Sequence, residues 1–187
     1  YYTRAVAELE SVGLYKLRLR DLVFVLDELT KWNQTDARFA GRLGLDKVGA
    51  MGHSSGGETV AHLGQQDARC EAVVLLDPCG MYFIDLQGFS TPSLEMDQDP
   101  IVGCSVQDVF AASKTNAVAF QIRNTDHASF NNSVIFSSYP LASSREAVRT
   151  INAYALSFFN KWLKGQDDRL HEGRSPDFPR VINFRKK

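Results

Sequence analysis

The sequence predicts an α/β fold, a mostly parallel sheet flanked by helices, and three observations carry that prediction. Short apolar runs alternate with segments of helical period along the 187 residues. One of those runs passes through Gly52-His53-Ser54-Ser55-Gly56 straight into a helix, a strand–turn–helix signature. Polar residues of catalytic type, Ser54, Asp77 and His127, stand just after apolar runs, at the carboxyl ends where parallel sheets gather their reactive groups.

In chain order, residues 14–32 read as a helix, with Leu22, Val25, Leu26, Leu29 and Trp32 at helical spacing on one apolar stripe that lies on the sheet. Gly41 and Gly44 mark a loop into a short strand at residues 48–51. Residues 58–66 form the helix after the turn. Residues 71–77 are a continuous apolar run, suited to a strand buried on both faces, and residues 92–97 are a weaker strand. A further strand falls at 117–122. Ser143-Ser144-Arg145-Glu146 fits a capping box for a long final helix, whose buried stripe is Val148, Ile151, Ala155, Phe158, Phe159 and Trp162, with Gly165 as its stop. Residues 166–187, with Pro176 and Pro179, read as an extended tail holding one short strand at 180–182. The expected organisation is thus one core over residues 1–165 and a tail over 166–187.

A hydrophobic content of 44% in a chain of this length supports one sizeable core. The formal net charge of −1 and dispersed Lys and Arg give no basic stripe, which argues against nucleic-acid binding. No apolar run is long enough for a transmembrane helix, and no signal-peptide pattern stands at the start. The sequence opens on Tyr1 rather than Met, as a processed or truncated piece would. Three cysteines, Cys70, Cys79 and Cys104, allow at most one internal disulfide and lack zinc-ligand spacing. Asn33-Gln34-Thr35 and Asn131-Asn132-Ser133 match the glycosylation sequon, a pattern short enough to arise by chance.

In such a turn Ser54 is the candidate nucleophile: glycines two before and two after it remove Cβ atoms that would clash, and the Ser55 N–H opens the next helix facing the place where an oxyanion forms. Nucleophilic serine chemistry needs a base and an acid to orient it. Of four histidines, His53 lies inside the turn, His62 on the following helix and His171 in the charged tail. His127 follows the strand at 117–122 and is the candidate base. For the acid, Asp77 ends the most apolar strand, where a carboxylate needs a partner, while Asp97 and Asp99 end the next one. Asp126 adjoins His127 and is badly placed to reach its Nδ1.

The stretches at residues 20–27, 45–48, 52–57 and 72–77 resemble the platelet-activating factor acetylhydrolase group of the α/β-hydrolases, over roughly residues 21–165. The resemblance implies an α/β-hydrolase fold and a serine esterase acting through a Ser-His-Asp triad on small ester or lipid substrates, without metal or organic cofactor. In that group the acid lies about two dozen residues beyond the serine, which favours Asp77, 23 residues on. Met81-Tyr82-Phe83 is similar to a segment lining the group's acyl pocket. Cutinase-like polyesterases and lipases share the turn but take their acid from the later strand, which would select Asp99 or Asp97. A non-catalytic hydrolase-fold subunit is the alternative outside enzymes. Only 53 residues precede Ser54, too few for the early strands and the second oxyanion donor of such folds. An N-terminal segment or companion chain is therefore expected to complete the sheet. Localisation stays open between cytoplasmic and secreted, with the resemblance leaning to secreted.

Overall fold

The computed structural model describes residues 4–79, 89–102, 109–114, 116–131 and 142–187. Five strands, β1 (Val48–His53), β2 (Cys70–Leu76), β3 (Ser93–Asp99), β4 (Ala117–Arg123) and β5 (Val181–Lys186), form one sheet in the order 1-2-3-4-5. The first four are parallel and β5 runs antiparallel to β4. Helices α1 (Arg4–Thr35), α2 (Ser55–Gln66), the single turn α3 (Val109–Ala112) and α4 (Ala142–Lys164) complete the α/β fold that the sequence predicts. Parallel running places the ends of β1, β2 and β4 on one rim of the sheet.

The unbroken apolar run of β2 follows from burial on both faces. Ala72, Val74 and Leu76 pack with Ile151, Tyr154 and Phe158 of α4, while Val73 and Leu75 pack with Leu19 and Leu26 of α1 and with Val60 and Leu63 of α2. Each buried Val or Leu is worth about 1.5–3 kcal/mol, so this layer dominates the core. Gly49 lets α4 lie close over β1, since a Cβ there would come within 2.7 Å of Phe159 and Leu163 side chains.

The buried stripe of α1 differs in phase from the expectation: Leu19 and Leu26 are buried with Leu22 and Val23 beside them, whereas Val25 and Trp32 are 49% and 42% exposed. Apolar residues lie all round this helix, so spacing alone gave no unique face; Trp32 instead stacks on Phe39. On α4 the centre of the stripe is Tyr154, fully buried, with its hydroxyl donating to Gly173 O at 2.9 Å. Gly165, at φ 66°, ends α4 through Gly165 N–H to Lys161 O and Gln166 N–H to Asn160 O, both 3.0 Å. The cap at the start of α4 lies outside the described residues.

Residues 166–187 are not a detached extension. Phe178, Val181 and His171 are buried, β5 covers the edge of β4, and Lys187 Nζ donates to Ala111 O and Ser113 O at 3.0 Å. The prolines precede the strand and leave its ladder intact. Asn33 spends its carboxamide on the chain, accepting from Arg42 N and Leu43 N and donating to Leu43 O. Cys79 is disulfide-bonded, and Cys70 is buried and free. Among the described residues no helix is long and apolar enough to cross a membrane.

Where α1 crosses α2, two ionisable groups are buried with atoms lacking hydrogen-bond partners among the described residues: Glu58 Oε1, and both ring nitrogens of His62, which stacks on Tyr15 at 4.3 Å. Burial pushes the Glu58 carboxyl from 4.5 up to about 7 against the opposing charge of Arg18, and holds the His62 imidazole at about 4, below its ordinary 6.5. The unfolded chain takes up the His62 proton below pH 6.5, the folded chain only near 4, so this group lowers stability as pH falls. The folded chain keeps the Glu58 proton up to about 7, the unfolded chain only to 4.5, so this group lowers stability as pH rises. Between pH 4.5 and 6.5 the two slopes oppose. Urea unfolding across that window is expected to show stability rising with pH in Glu58→Gln and falling with pH in His62→Phe, each by on the order of 1–3 kcal/mol. Slopes unchanged from wild type in both variants would contradict this account.

Candidate active site

Ser54 occupies the turn between β1 and α2 with φ 59° and ψ −128°, a conformation a serine adopts only under constraint. The constraint comes from both sides. Ser54 N–H donates to Leu76 O at 3.0 Å, which ties the turn to β2, and Ser54 O accepts from Gly57 N–H at 2.9 Å. Gly52 is where a side chain is forbidden, since a Cβ would lie 2.2 Å from Gly56 O. Gly57 is also tight, 3.0 Å from Pro78 Cβ. Gly56, two after the serine, has nothing among the described residues within 4 Å of a Cβ, so the steric reason expected there applies to Gly57 instead.

Asp77 follows directly on β2, at φ 41°, and is 3% exposed. Its backbone N–H donates to Met96 O at 2.7 Å. Gln98 holds the carboxylate with two donors, N–H to Oδ1 and Nε2–H to Oδ2, both 3.0 Å. His127 Nδ1 lies 2.5 Å from Asp77 Oδ2. With Nδ1 directed at Asp77, Nε2 is the ring nitrogen that this contact leaves free for other chemistry. The structure thus brings Asp77 and His127 together. Asp97 and Asp99 flank Gln98 on β3, and strand alternation sends their side chains to the face opposite the one from which Gln98 reaches Asp77.

His127 opens a 3-10 turn (His127–Phe130) whose cap is Asp126. Asp126 Oδ1 accepts from Ser129 N–H at 2.9 Å and from Ser129 Oγ at 2.7 Å, so the carboxylate beside His127 serves its own turn. His53 braces this turn from β1: its Nε2–H donates to His127 O at 2.9 Å, and the two rings stand 4.5 Å apart. Burial, then the neighbouring imidazole, lowers the His53 pKa. Neither Gln98 nor His53 carried a sequence signal for these roles. Each partner is distant along the chain, and only the parallel register brings it near.

Ser55, the first residue of α2, accepts from Arg18 Nη1 at 2.6 Å through Oγ and from Thr59 Oγ1 at 2.9 Å through its carbonyl. A cavity of about 150 Å³ opens beside the rim between Met51, Leu76, Phe130 and the α4 residues Val148, Ile151 and Asn152. Met81-Tyr82-Phe83 lies outside the described residues. The ligand-type atoms of Asp167, His171 and Glu172 lie within 4.8 Å of one another, but lysines already balance the cluster. Lys161 Nζ is 3.0 Å from both Asp167 and Glu172, Lys186 Nζ is 3.0 Å from Glu172, and the two lysines hold the Glu172 pKa down to about 2.

No protein-family model matches the chain, and no curated protein does. Among solved structures it is similar to a ferulic acid esterase from Streptomyces cinnamoneus, with a TM-score of 0.75 at 20% identity, covering 93% of this chain and 55% of that one. The likeness shows the α/β fold. The chain spans little more than half the length of that structure.

The two glycines of the turn predict opposite outcomes. Gly52→Ala drives a Cβ into the Gly56 carbonyl and is expected to cost about 2–4 kcal/mol or prevent folding. Gly56→Ala meets open space within a helix and is expected to be neutral or to stabilise by up to about 1 kcal/mol. Thermal unfolding of both variants checks this, and equal losses would contradict it.

Proposed function

We propose that this protein is a serine-dependent carboxylic ester hydrolase in which Ser54 is the nucleophile, His127 the base and Asp77 the residue that orients it. The observation that carries the reading is the buried Asp77 carboxylate, donated to by Gln98 and set 2.5 Å from His127 Nδ1, on the rim that also holds the constrained Ser54. The shared fold with a ferulic acid esterase supports ester hydrolysis as the reaction class.

In this mechanism His127 Nε2 takes the Ser54 hydroxyl proton as Oγ bonds to the ester carbonyl carbon. The Ser55 N–H at the positive end of α2 stabilises the oxyanion. As the carbon–alkoxy bond breaks, the imidazolium returns that proton to the leaving oxygen. Water, deprotonated by the same imidazole, then attacks the acyl carbon; the bond to Ser54 Oγ breaks, the imidazolium returns the proton to Oγ, and the acid leaves. Asp77 holds the reactive tautomer throughout and stabilises the imidazolium. The rim cavity of about 150 Å³ suits a short acyl chain, in keeping with short-acyl or lipid-like esters. No step requires a metal or an organic cofactor.

A fluorophosphonate probe is expected to label Ser54, and Ser54→Ala to abolish both labelling and turnover of a short-chain p-nitrophenyl ester. Asp77→Asn should lower turnover by about 10⁴-fold, because the amide favours the wrong imidazole tautomer, and Asp99→Asn should change it little. Labelling at another residue would remove Ser54 from the role. The reverse ranking of the aspartates would assign the acid to β3, as in cutinase-like enzymes, and a folded protein that neither labels nor turns over ester would be a non-catalytic relative.

We propose also that a strand from an N-terminal segment or a companion chain pairs with β1. Among the described residues β1 pairs only with β2, and Met51 on it is 52% exposed. An unpaired apolar edge promotes association, which a charge suppresses. Sedimentation of the 187-residue chain is expected to show concentration-dependent association that Met51→Lys reduces. A monodisperse, fully active monomer would count against an added strand.

A further inference from the structure

The amide proposed to receive the oxyanion belongs to Ser55, and Ser55 is held from outside its own helix. Ser54, in the cap position of α2, makes no side-chain capping bond, so the first turn is not fixed in the usual local way. What reaches it is Arg18 on α1, 37 residues upstream, whose Nη1 donates to Ser55 Oγ at 2.6 Å. The bond is short and charge-assisted, a class roughly twice as strong as neutral hydrogen bonds. Thr59 Oγ1 holds the carbonyl of the same residue at 2.9 Å. The peptide plane that carries the Ser55 N–H also carries the Ser54 carbonyl, which accepts from Gly57 N–H at 2.9 Å, so with the Ser55 hydroxyl held as well that plane has little freedom to rotate.

The placement of Arg18 is itself determined. It lines a cavity of about 310 Å³ behind the turn, together with Asp21, Leu22, Met51, Gly52 and Gly56. One helical turn beyond Ser55 stands the buried Glu58, whose Oε1 has no hydrogen-bond partner among the described residues and whose charge the guanidinium opposes. A guanidinium tied to the Ser55 hydroxyl at 2.6 Å is held more closely than that of a free surface arginine.

We propose, resting on the esterase reading above, that Arg18 is a positioning residue, acting through Ser55 Oγ to hold the Ser55 backbone N–H in the orientation that meets the oxyanion. Arg18 touches no reacting atom in this scheme. Its contribution is a fraction of the ~10²–10³-fold that one oxyanion donor supplies.

A double-mutant cycle on Arg18→Gln and Ser55→Ala tests it, with rates normalised to sites titrated by fluorophosphonate. Each single variant is expected to lower kcat for a p-nitrophenyl ester about tenfold with KM within twofold, and the double variant to be no worse than either. Arg18→Lys should recover part of the loss. Multiplying effects, or an unchanged kcat per titrated site, would overturn the proposal. Amide hydrogen exchange gives an arm independent of turnover: Arg18→Gln is expected to speed exchange at Ser55 and Gly56 at least tenfold while α4 is unaffected. Unchanged exchange at those amides would overturn the positioning role even in an active enzyme. A wild type that exchanges as expected but neither labels nor turns over would overturn the esterase reading instead.

Discussion

The approach of β1 to the first turn of α2 is the constraint on which the rest of the site depends. With 2.2 Å between a Cβ at Gly52 and the Gly56 carbonyl, the chain can reverse there only if position 52 is glycine. That closeness goes with a Ser54 backbone at φ 59°. The Leu76 carbonyl, which accepts the Ser54 N–H, belongs to the strand that ends in Asp77. One hydrogen bond thus indexes the serine to the strand that carries the carboxylate, and the stiffness of the parallel ladder transmits the distance.

Asp77 and His127 are likewise held by neighbours more than by their own loops. Asp77 has two bonds from Gln98 and a third contact with His127, so three partner atoms on one neighbouring strand and one turn surround the buried carboxyl group. His53, adjacent to Ser54, grips the carbonyl of His127 rather than its ring. The ring is left able to exchange protons while its backbone is fixed. The same residue ties the elbow strand to the histidine turn, so displacement of either would disturb both.

Much of this was legible in the residues. The turn at Ser54, the doubly buried β2 and the long stripe of α4 announce themselves through period and composition, because each depends on neighbours within a few positions. The assignment of Gln98 and His53 was not legible, since a glutamine between two aspartates and a histidine inside the turn gain meaning only from residues on other strands. α1 gave a helix and only part of its face, Leu22 and Leu26 but not Val25 or Trp32, because Leu17, Phe24 and Val25 spread its apolar surface round the axis. Residues 180–182 showed only part of β5, whose remainder is Asn183, Phe184, Arg185 and Lys186, polar on the face turned from the core. The pairing of that segment with β4 is a property of the sheet edge and has no local signal.

The antiparallel β5 has a consequence for the order in which the molecule can assemble. β1 and β2 are joined through α2, a short crossover, and their contacts close a small loop of chain. Val118 of β4, by contrast, meets Lys186 only after α4 has crossed the other face and returned. Loop-closure entropy sets that contact late. Until it forms, the β4 edge is an open template, and any event that delays α4 docking lengthens the interval in which the nascent sheet can capture a foreign strand.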